Sequence, residues 1–274
     1  MTGITFNLWM LPMFIRMALL VFVLAHSPEI FIFPYNLFAS LFLYRNGPFI
    51  SDVYRDEYDV GDFYDKLNIE EIRREFIKYM QEEEVVGNNT IAPPITDVFH
   101  FQEYIGGGNS SGNKTKWRLL PIKTMGNVHP SDTQLRFPFL MSLLHNNPNV
   151  VTAFYSILEP GAVIPLHNGY SRAILRYHLG IVVPEPDKCY IEVGGEIQHW
   201  QEGEPFMFDD MYPHKVAHLG TQKRIILWLD VTRPGIWGLT RKLIEAVGRS
   251  PFLHKWNADQ ERPRMIEPDM NKVD

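Results

Sequence analysis

A mainly β fold, a small barrel of short strands with helices packed around it, is predicted by three features of this 274-residue chain. Residues 150–234 form a series of short runs rich in Val, Ile, Tyr and Phe, punctuated by Pro, Gly, Asn and Asp. Within AILRYHLGIVV, Arg176 and His178 alternate with Leu175 and Tyr177, so period-two geometry puts both polar side chains on one face. His167 and His214 are too far apart in sequence to be a helical pair, but suit two strands facing each other across a small barrel.

Taken in order, the chain opens with residues 8–25, LWMLPMFIRMALLVFVLA, an apolar run just long enough to span a bilayer. Arg16 opposes insertion by about 2.5–3.5 kcal/mol, against about −0.3 to −0.6 kcal/mol for each Leu, Ile, Phe and Val. The sum favours the membrane by a thin margin, and Pro12 is tolerable near the end of such a helix. A single-pass or membrane-associated location is expected, with the lumenal or cytosolic side left open. The rival readings are a cleaved signal peptide ending at Val23-Leu24-Ala25 and a buried helix of a soluble protein. Residues 30–44 are apolar but broken by Pro34, Asn36 and Ser40, which suits an interfacial or re-entrant helix. Residues 1–50 thus form a membrane-associated helical segment.

Residues 51–148 are expected to hold flanking helices and a flexible loop. From Asn68 to about Glu84, Ile69, Ile72, Phe76, Ile77 and Met80 recur at helical spacing, with Asn68 as the cap and Glu70 and Glu71 in the first turn. Residues 86–115 are polar and Gly-rich, a loop that could cover a site, with glycosylation-type triplets at Asn88, Asn109 and Asn113. KWRLLPIK then reads as a strand and Asp132–Leu144 as a helix. The catalytic core is placed at 149–236. Residues 237–274 supply an amphipathic helix, within IWGLTRKLIEAVGR, and a polar tail.

Composition narrows the function. Charged residues make up 21% and hydrophobic residues 45%, ordinary for a globular protein, and a formal charge of −6 argues against a nucleic-acid partner. Cys189 is the single cysteine, so no intramolecular disulfide forms, and in KCYIEV it reads as a small core residue.

The chemistry-bearing residues lie in the core stretch. Two histidines and a carboxylate are the ligand set by which non-haem iron keeps positions open. His167 follows Pro165 and precedes Asn168-Gly169, so it sits at a strand end with its ring free to reach a metal. His214 follows Asp209, Asp210 and Pro213, another polar turn. Arg224 opens KRIILWLDV, a run apolar enough for a core strand, and an arginine there needs an anionic partner. A dicarboxylate such as 2-oxoglutarate supplies one by bidentate pairing. Ser156, on the preceding strand, is a short hydroxyl donor. Each residue alone has a blander reading: a satisfied core histidine, a surface arginine, a solvated Asp209-Asp210 turn.

The joint order is more specific. Ser156, Leu158, Pro160-Gly161, His167, Gly169, Arg176, His178-Leu179-Gly180, Trp200, Glu202-Gly203, Phe208-Asp209-Asp210, His214, Arg224, Ile226 and Asp230-Val231 stand at offsets that resemble the aspartyl/asparaginyl β-hydroxylase family of Fe(II)/2-oxoglutarate oxygenases. The resemblance covers roughly residues 115–234. It implies a double-stranded β-helix (jelly-roll) core, His167 and His214 as Fe(II) ligands, and Ser156, Arg176, His178 and Arg224 as holders of the 2-oxoglutarate carboxylates, with O2 as oxidant. Oxygenases of the wider class carry Asp or Glu two residues after the first histidine; here that position is Gly169, and the family is similar in lacking it. Asp210 is the carboxylate expected to hold a water in the vacancy. The N-terminal segment is similar to the membrane-proximal region of the lipid A hydroxylases, so the implied substrate is either a protein Asp/Asn side chain or a lipid acyl chain. The alternatives are a non-catalytic jelly-roll binding module, supported by Gly169, and a zinc-bound cupin-type isomerase or metal sensor, for which two histidines make a poor site.

Overall fold

The computed structural model describes residues 47–50, 60–86, 96–97, 117–128, 135–169, 171–233 and 239–249, with Ile15, Pro34, Tyr35, Phe38 and Ala39 singly. Its elements are α1 (Lys66–Val86), β1 (Trp117–Thr124), α2 (Pro138–Asn146), β2 (Val150–Leu158), β3 (Val163–His167), β4 (Ile174–Val182), β5 (Cys189–Val193), β6 (Glu196–His199), β7 (Pro205–Phe208), β8 (His214–His218), β9 (Arg224–Thr232) and α3 (Leu239–Gly248). Every strand pairing in the two sheets is antiparallel. One sheet runs β7-β4-β9-β2-β1, extended at its edges by Phe49–Ile50 beside β7 and Thr96–Asp97 beside β1. The smaller sheet runs β3-β8-β5-β6. The chain crosses repeatedly between the two sheets, and this is the jelly roll.

The central strands β2 and β9 are buried at every position, so both faces of the larger sheet are covered. Alternation sorts their side chains. Ala153, Tyr155 and Ile157 of β2, Tyr177 and Leu179 of β4, and Leu227 and Leu229 of β9 pack outward against Ile72, Phe76 and Tyr79 of α1 and Leu140 and Leu144 of α2. Phe154 and Leu158, with Ile226 and Trp228, face inward against Ile164, Ile191, Val193 and Val216 of the smaller sheet. The inner layer therefore carries the barrel's polar side chains, and the outer layer is a dry helix-on-sheet core.

Two local expectations are corrected. Asp65, not Asn68, caps α1, its Oδ1 accepting from the N–H of Leu67 at 2.8 Å and of Asn68 at 3.3 Å. The apolar spacing begins only at Ile69, which drew the expected start three residues too late. The buried stripe is Ile69, Ile72, Phe76 and Tyr79, whereas Ile77 is 40% exposed on the opposite face. Of the helix expected near Asp132–Leu144, Pro138–Asn146 forms α2, with the proline in the first turn where its missing N–H costs nothing; Leu135 and Arg136 are also helical, and residues 129–134 lie outside the described residues.

No side chain of its own chain-neighbourhood caps α2. Instead Glu75 of α1, 8% exposed, accepts from the N–H groups of Phe139 at 2.6 Å and Leu140 at 3.0 Å. Burial raises its pKa despite those two donors. The contact joins α1 to α2 beneath the sheet. Glu75→Ala strips a buried helix terminus of its acceptor and is expected to destabilise the fold by about 1–2 kcal/mol, with Glu75→Gln losing less. Urea unfolding of the three proteins checks this; equal midpoints would contradict it.

No helix among the described residues is long and apolar enough to cross a membrane. The proposed span 8–25 lies outside the described residues apart from Ile15. Also outside them are the glycosylation triplets, most of the 86–115 loop and the 255–274 tail.

Candidate metal and co-substrate site

Six of the seven predicted site residues line one cavity between the sheets: Ser156, His167, Arg176, His178, His214 and Arg224. Its remaining walls are largely apolar, with Trp117, Ile191, Trp200, Phe208 and Trp228 prominent. The histidines do not face each other across the barrel. They are cross-strand partners on adjacent strands of the smaller sheet, His167 ending β3 directly opposite His214 beginning β8. A register irregularity between His214 and Val216 accommodates the extra residue on β3. The ring centroids are 4.1 Å apart. Adjacent antiparallel strands bring long-separated residues together as readily as opposed sheets do, and spacing alone could not choose between them.

The two imidazoles share one tautomer. Nδ1 of His167 lies 2.8 Å from the Pro165 carbonyl oxygen, and Nδ1 of His214 lies 2.8 Å from that of Tyr212. A carbonyl only accepts, so each Nδ1 carries its hydrogen and each Nε2 keeps a bare lone pair. Burial drops both pKa values to about 4, the neighbouring ring adding to the effect at His167 and Arg176 adding to it at both. The pair is therefore neutral at pH 7, as a metal ligand must be.

This sets a pH dependence. An unfolded chain protonates these rings from about pH 6.5 downward, whereas the folded rings resist until about pH 4. The unfolded state thus binds more protons in that window, and stability falls as pH drops from 6.5 towards 4. In metal-free protein, NMR titration should find both rings neutral at pH 5. A His167→Gln/His214→Gln double variant should lose stability less steeply over the same range. Ring resonances titrating near pH 6.5 would contradict this.

Asp210 is wholly buried, and so is Asp209, which overturns the reading of this pair as a solvated turn. Asp209 anchors the turn: it pairs with Nη2 of Arg233 at 2.6 Å and accepts from the N–H of Met211 at 3.0 Å. Asp210, the seventh predicted site residue, is not among the residues that line the cavity but lies against two that do. Its Oδ1 lies 2.5 Å from Nη1 of Arg176 and 3.3 Å from Nε2 of His214. Burial, its largest influence, raises the Asp210 pKa, with Arg176 opposing.

Gly169 explains where that carboxylate sits. A Cβ at 169 would lie 1.7 Å from Oδ2 of Asp210 and 2.3 Å from its Cγ. The space into which a side chain at 169 would project is already filled by the Asp210 carboxylate. The Gly169 N–H also donates to the Asp210 carbonyl at 2.7 Å. Position 169 can therefore be glycine because the carboxylate arrives from the turn between β7 and β8.

Across the cavity, Arg224 begins β9 at 2% exposure, packed 4.5 Å over the Trp200 ring and against the Cys189 thiol. Its Nε and Nη1 donate to nothing among the described residues, and Nδ1 of His178 is likewise without a partner. A buried guanidinium with undonated N–H groups is costly unless an anion completes it. Ser156 stands near this end, its Oγ accepting from Trp117 Nε1 at 3.1 Å. Arg176 is placed differently from Arg224: besides Asp210 it engages Asp230 through Nε at 3.0 Å and lies 4.0 Å over the Trp228 ring.

The residues fit a metal and an anionic co-substrate on these observations. Two neutral imidazoles with free Nε2 lone pairs lie side by side, and Oδ1 of Asp210, held by Arg176, stands 3.3 Å from Nε2 of His214. Among the described residues, no group of three or more His, Cys, Asp or Glu is arranged to hold a metal by itself. The protein's contribution is the histidine pair with Asp210 beside it.

Residues 66–234 match the family model described as aspartyl/asparaginyl beta-hydroxylase. The chain belongs to this family. The match takes in α1 as well as the barrel. An ornithine lipid ester-linked acyl 2-hydroxylase from Rhizobium tropici is 33% identical over 135 residues, covering 49% of this chain and 48% of that protein. The aspartyl/asparaginyl beta-hydroxylase of Homo sapiens is 34% identical over 93 residues, covering 34% of this chain and 12% of that one. The chain thus spans half or less of the relatives' lengths. The Cupin_2 domain of an XRE family transcriptional regulator from Enterobacter cloacae is 14% identical with a TM-score of 0.30, covering 43% of this chain and 97% of that one.

Sequence reasoning left Trp228 and Trp200 without roles. A signal was present: Arg224, Ile226, Trp228 and Asp230 fall on one face of β9 by period-two alternation.

Proposed function

We propose that the protein is an Fe(II)- and 2-oxoglutarate-dependent hydroxylase acting on a C–H position. One juxtaposition carries the reading. Two neutral imidazoles with bare Nε2 atoms lie in register on one sheet, and a buried arginine with undonated N–H groups shares their cavity. His167 and His214 would hold the iron, with Asp210 ordering water beside it. Arg224 would grip one carboxylate of the co-substrate, helped by Ser156, with Arg176 and His178 flanking the other. When bound, iron with 2-oxoglutarate and O2 supplies the oxidising power for hydroxylation. The chain's part is to exclude water with the Trp and Ile walls, keep both histidines unprotonated, and fix the co-substrate by a charge-assisted contact. A non-catalytic module is the competing reading, and Asp210 filling the space at Gly169 supports the hydroxylase over it.

The substrate is read as a lipid acyl chain, supported by the longer likeness to the acyl hydroxylase, 135 residues against 93. A protein Asp or Asn side chain is the competing outcome. Lipid extracts and Asp- and Asn-containing peptides should be compared side by side for succinate formation and incorporation of labelled oxygen, with Fe(II), ascorbate and 2-oxoglutarate present. Arg224→Leu should raise the KM for 2-oxoglutarate by about 30-fold or more, as expected for a lost charge-assisted contact of roughly 2–3 kcal/mol. Succinate at background with both substrate classes would sink the assignment.

A further inference from the structure

Arg176 lies between two buried carboxylates, and only one of them, Asp210, reaches the histidine pair. The other, Asp230, is 2% exposed on β9, in cross-strand register with Arg176 on β4. Its Oδ1 accepts from Trp228 Nε1 at 2.8 Å and from Arg176 Nε at 3.0 Å. The Arg176 guanidinium lies over the Trp228 ring, and its Nη1 then reaches Oδ1 of Asp210, which faces His214. We infer that Asp230 is a positioning residue: it fixes the plane of the Arg176 guanidinium, so that Arg176 holds Asp210 in place beside the histidine pair. The inference rests on the metal-site reading above and names the device that sets that site's carboxylate.

The physical reason is the flexibility of arginine. Its long side chain samples many rotamers, and one ion pair leaves the guanidinium plane free to turn. Anchoring Nε at Asp230 and stacking on Trp228 remove that freedom and leave Nη1 directed at Asp210. Without Asp230, Arg176 still has the Asp210 carboxylate within reach. Both arms can then turn to Asp210 and draw its carboxylate from Nε2 of His214. Trp228 completes the arrangement, because its N–H fixes the Asp230 oxygen that Arg176 Nε uses.

The test uses Co(II) binding to the full chain, read by titration and by the visible absorption of the bound ion. Outer groups that orient metal ligands change affinity by about 10–100-fold. Asp230→Ala should weaken Co(II) binding by about tenfold or more and alter the absorption bands. Asp230→Asn, whose amide oxygen still accepts both N–H groups, should stay within about threefold. Because Asp230 acts through Asp210, Asp210→Ala/Asp230→Ala should bind no more weakly than Asp210→Ala alone. Wild-type affinity in Asp230→Ala, or losses that multiply in full in the double variant, would overturn the proposal. Should Asp230→Ala fail to fold, Trp228→Phe keeps the ring beneath Arg176 and removes only the N–H. It should weaken binding by about threefold in the wild-type background and not at all beside Asp210→Ala, and unchanged affinity in the wild-type background overturns the relay. His167→Ala and His214→Ala separate the two failures. If they bind Co(II) like the wild type, the metal reading falls and takes the relay with it; if they lose binding while Asp230→Ala does not, the relay alone falls.

Discussion

His214→Ala is expected to abolish 2-oxoglutarate-dependent turnover, by about 10³-fold or more, together with stoichiometric metal binding. On the proposed reading the protein's ligation comes from two imidazoles, adjacent in register, so removing one would leave a single nitrogen, and a loss of several kcal/mol corresponds to that factor. The alanine variant also leaves the Tyr212 carbonyl without its donor and opens a cavity at a side chain that is 3% exposed. Loss of stability could then be mistaken for loss of the ligand. His214→Gln separates them, since its amide N–H can reach the same carbonyl while offering no imidazole. Both variants should lack bound metal, with the glutamine variant melting close to the wild type. Turnover within tenfold of wild type in either would count decisively against His214 as a ligand.

The second large effect is expected at a residue without a side chain. Gly169→Ala places a methyl 1.7 Å from Oδ2 of Asp210, so one of the two must move. The Asp210 carboxylate is wedged against Arg176 and His214, and the 169 backbone is tied to Asp210 by a hydrogen bond. The fold should lose about 1–3 kcal/mol through overpacking. Metal affinity or activity should fall by about 10–100-fold, because the displaced group is the carboxylate beside the histidines. Gly169→Asp, which restores the residue type usual in the wider oxygenase class, should be no better while Asp210 is present. Combined with Asp210→Gly, it returns one carboxylate to the same space and should recover part of the lost metal binding. Gly169→Ala with wild-type affinity and melting would show that the Asp210 carboxylate is not held where the structure puts it.

Arg176, His178 and Arg224 turn inward because strand alternation is a local property, written in every second residue of β4 and β9. The jelly roll and most of the site residues were legible for the same reason: a family pattern records spacing along strands, and spacing along a strand is geometry. Spacing is silent on which strands become neighbours. It therefore misjudged the histidines, which meet by cross-strand register within one sheet rather than across the barrel. Asn68 is likewise the wrong cap because apolar periodicity marks where a face begins, not where the backbone starts to coil at Asp65.

The sequence by itself determined the strand-rich core, the inward face of each long strand and the residue types that a metal and a dicarboxylate require. Tertiary structure alone decided that Asp210 occupies the space above Gly169, that both histidines expose Nε2, and that Asp230 and Trp228 brace Arg176. Those facts depend on backbone carbonyls and on side chains from different strands arriving within hydrogen-bonding distance, and such distances are settled only when the sheets pack.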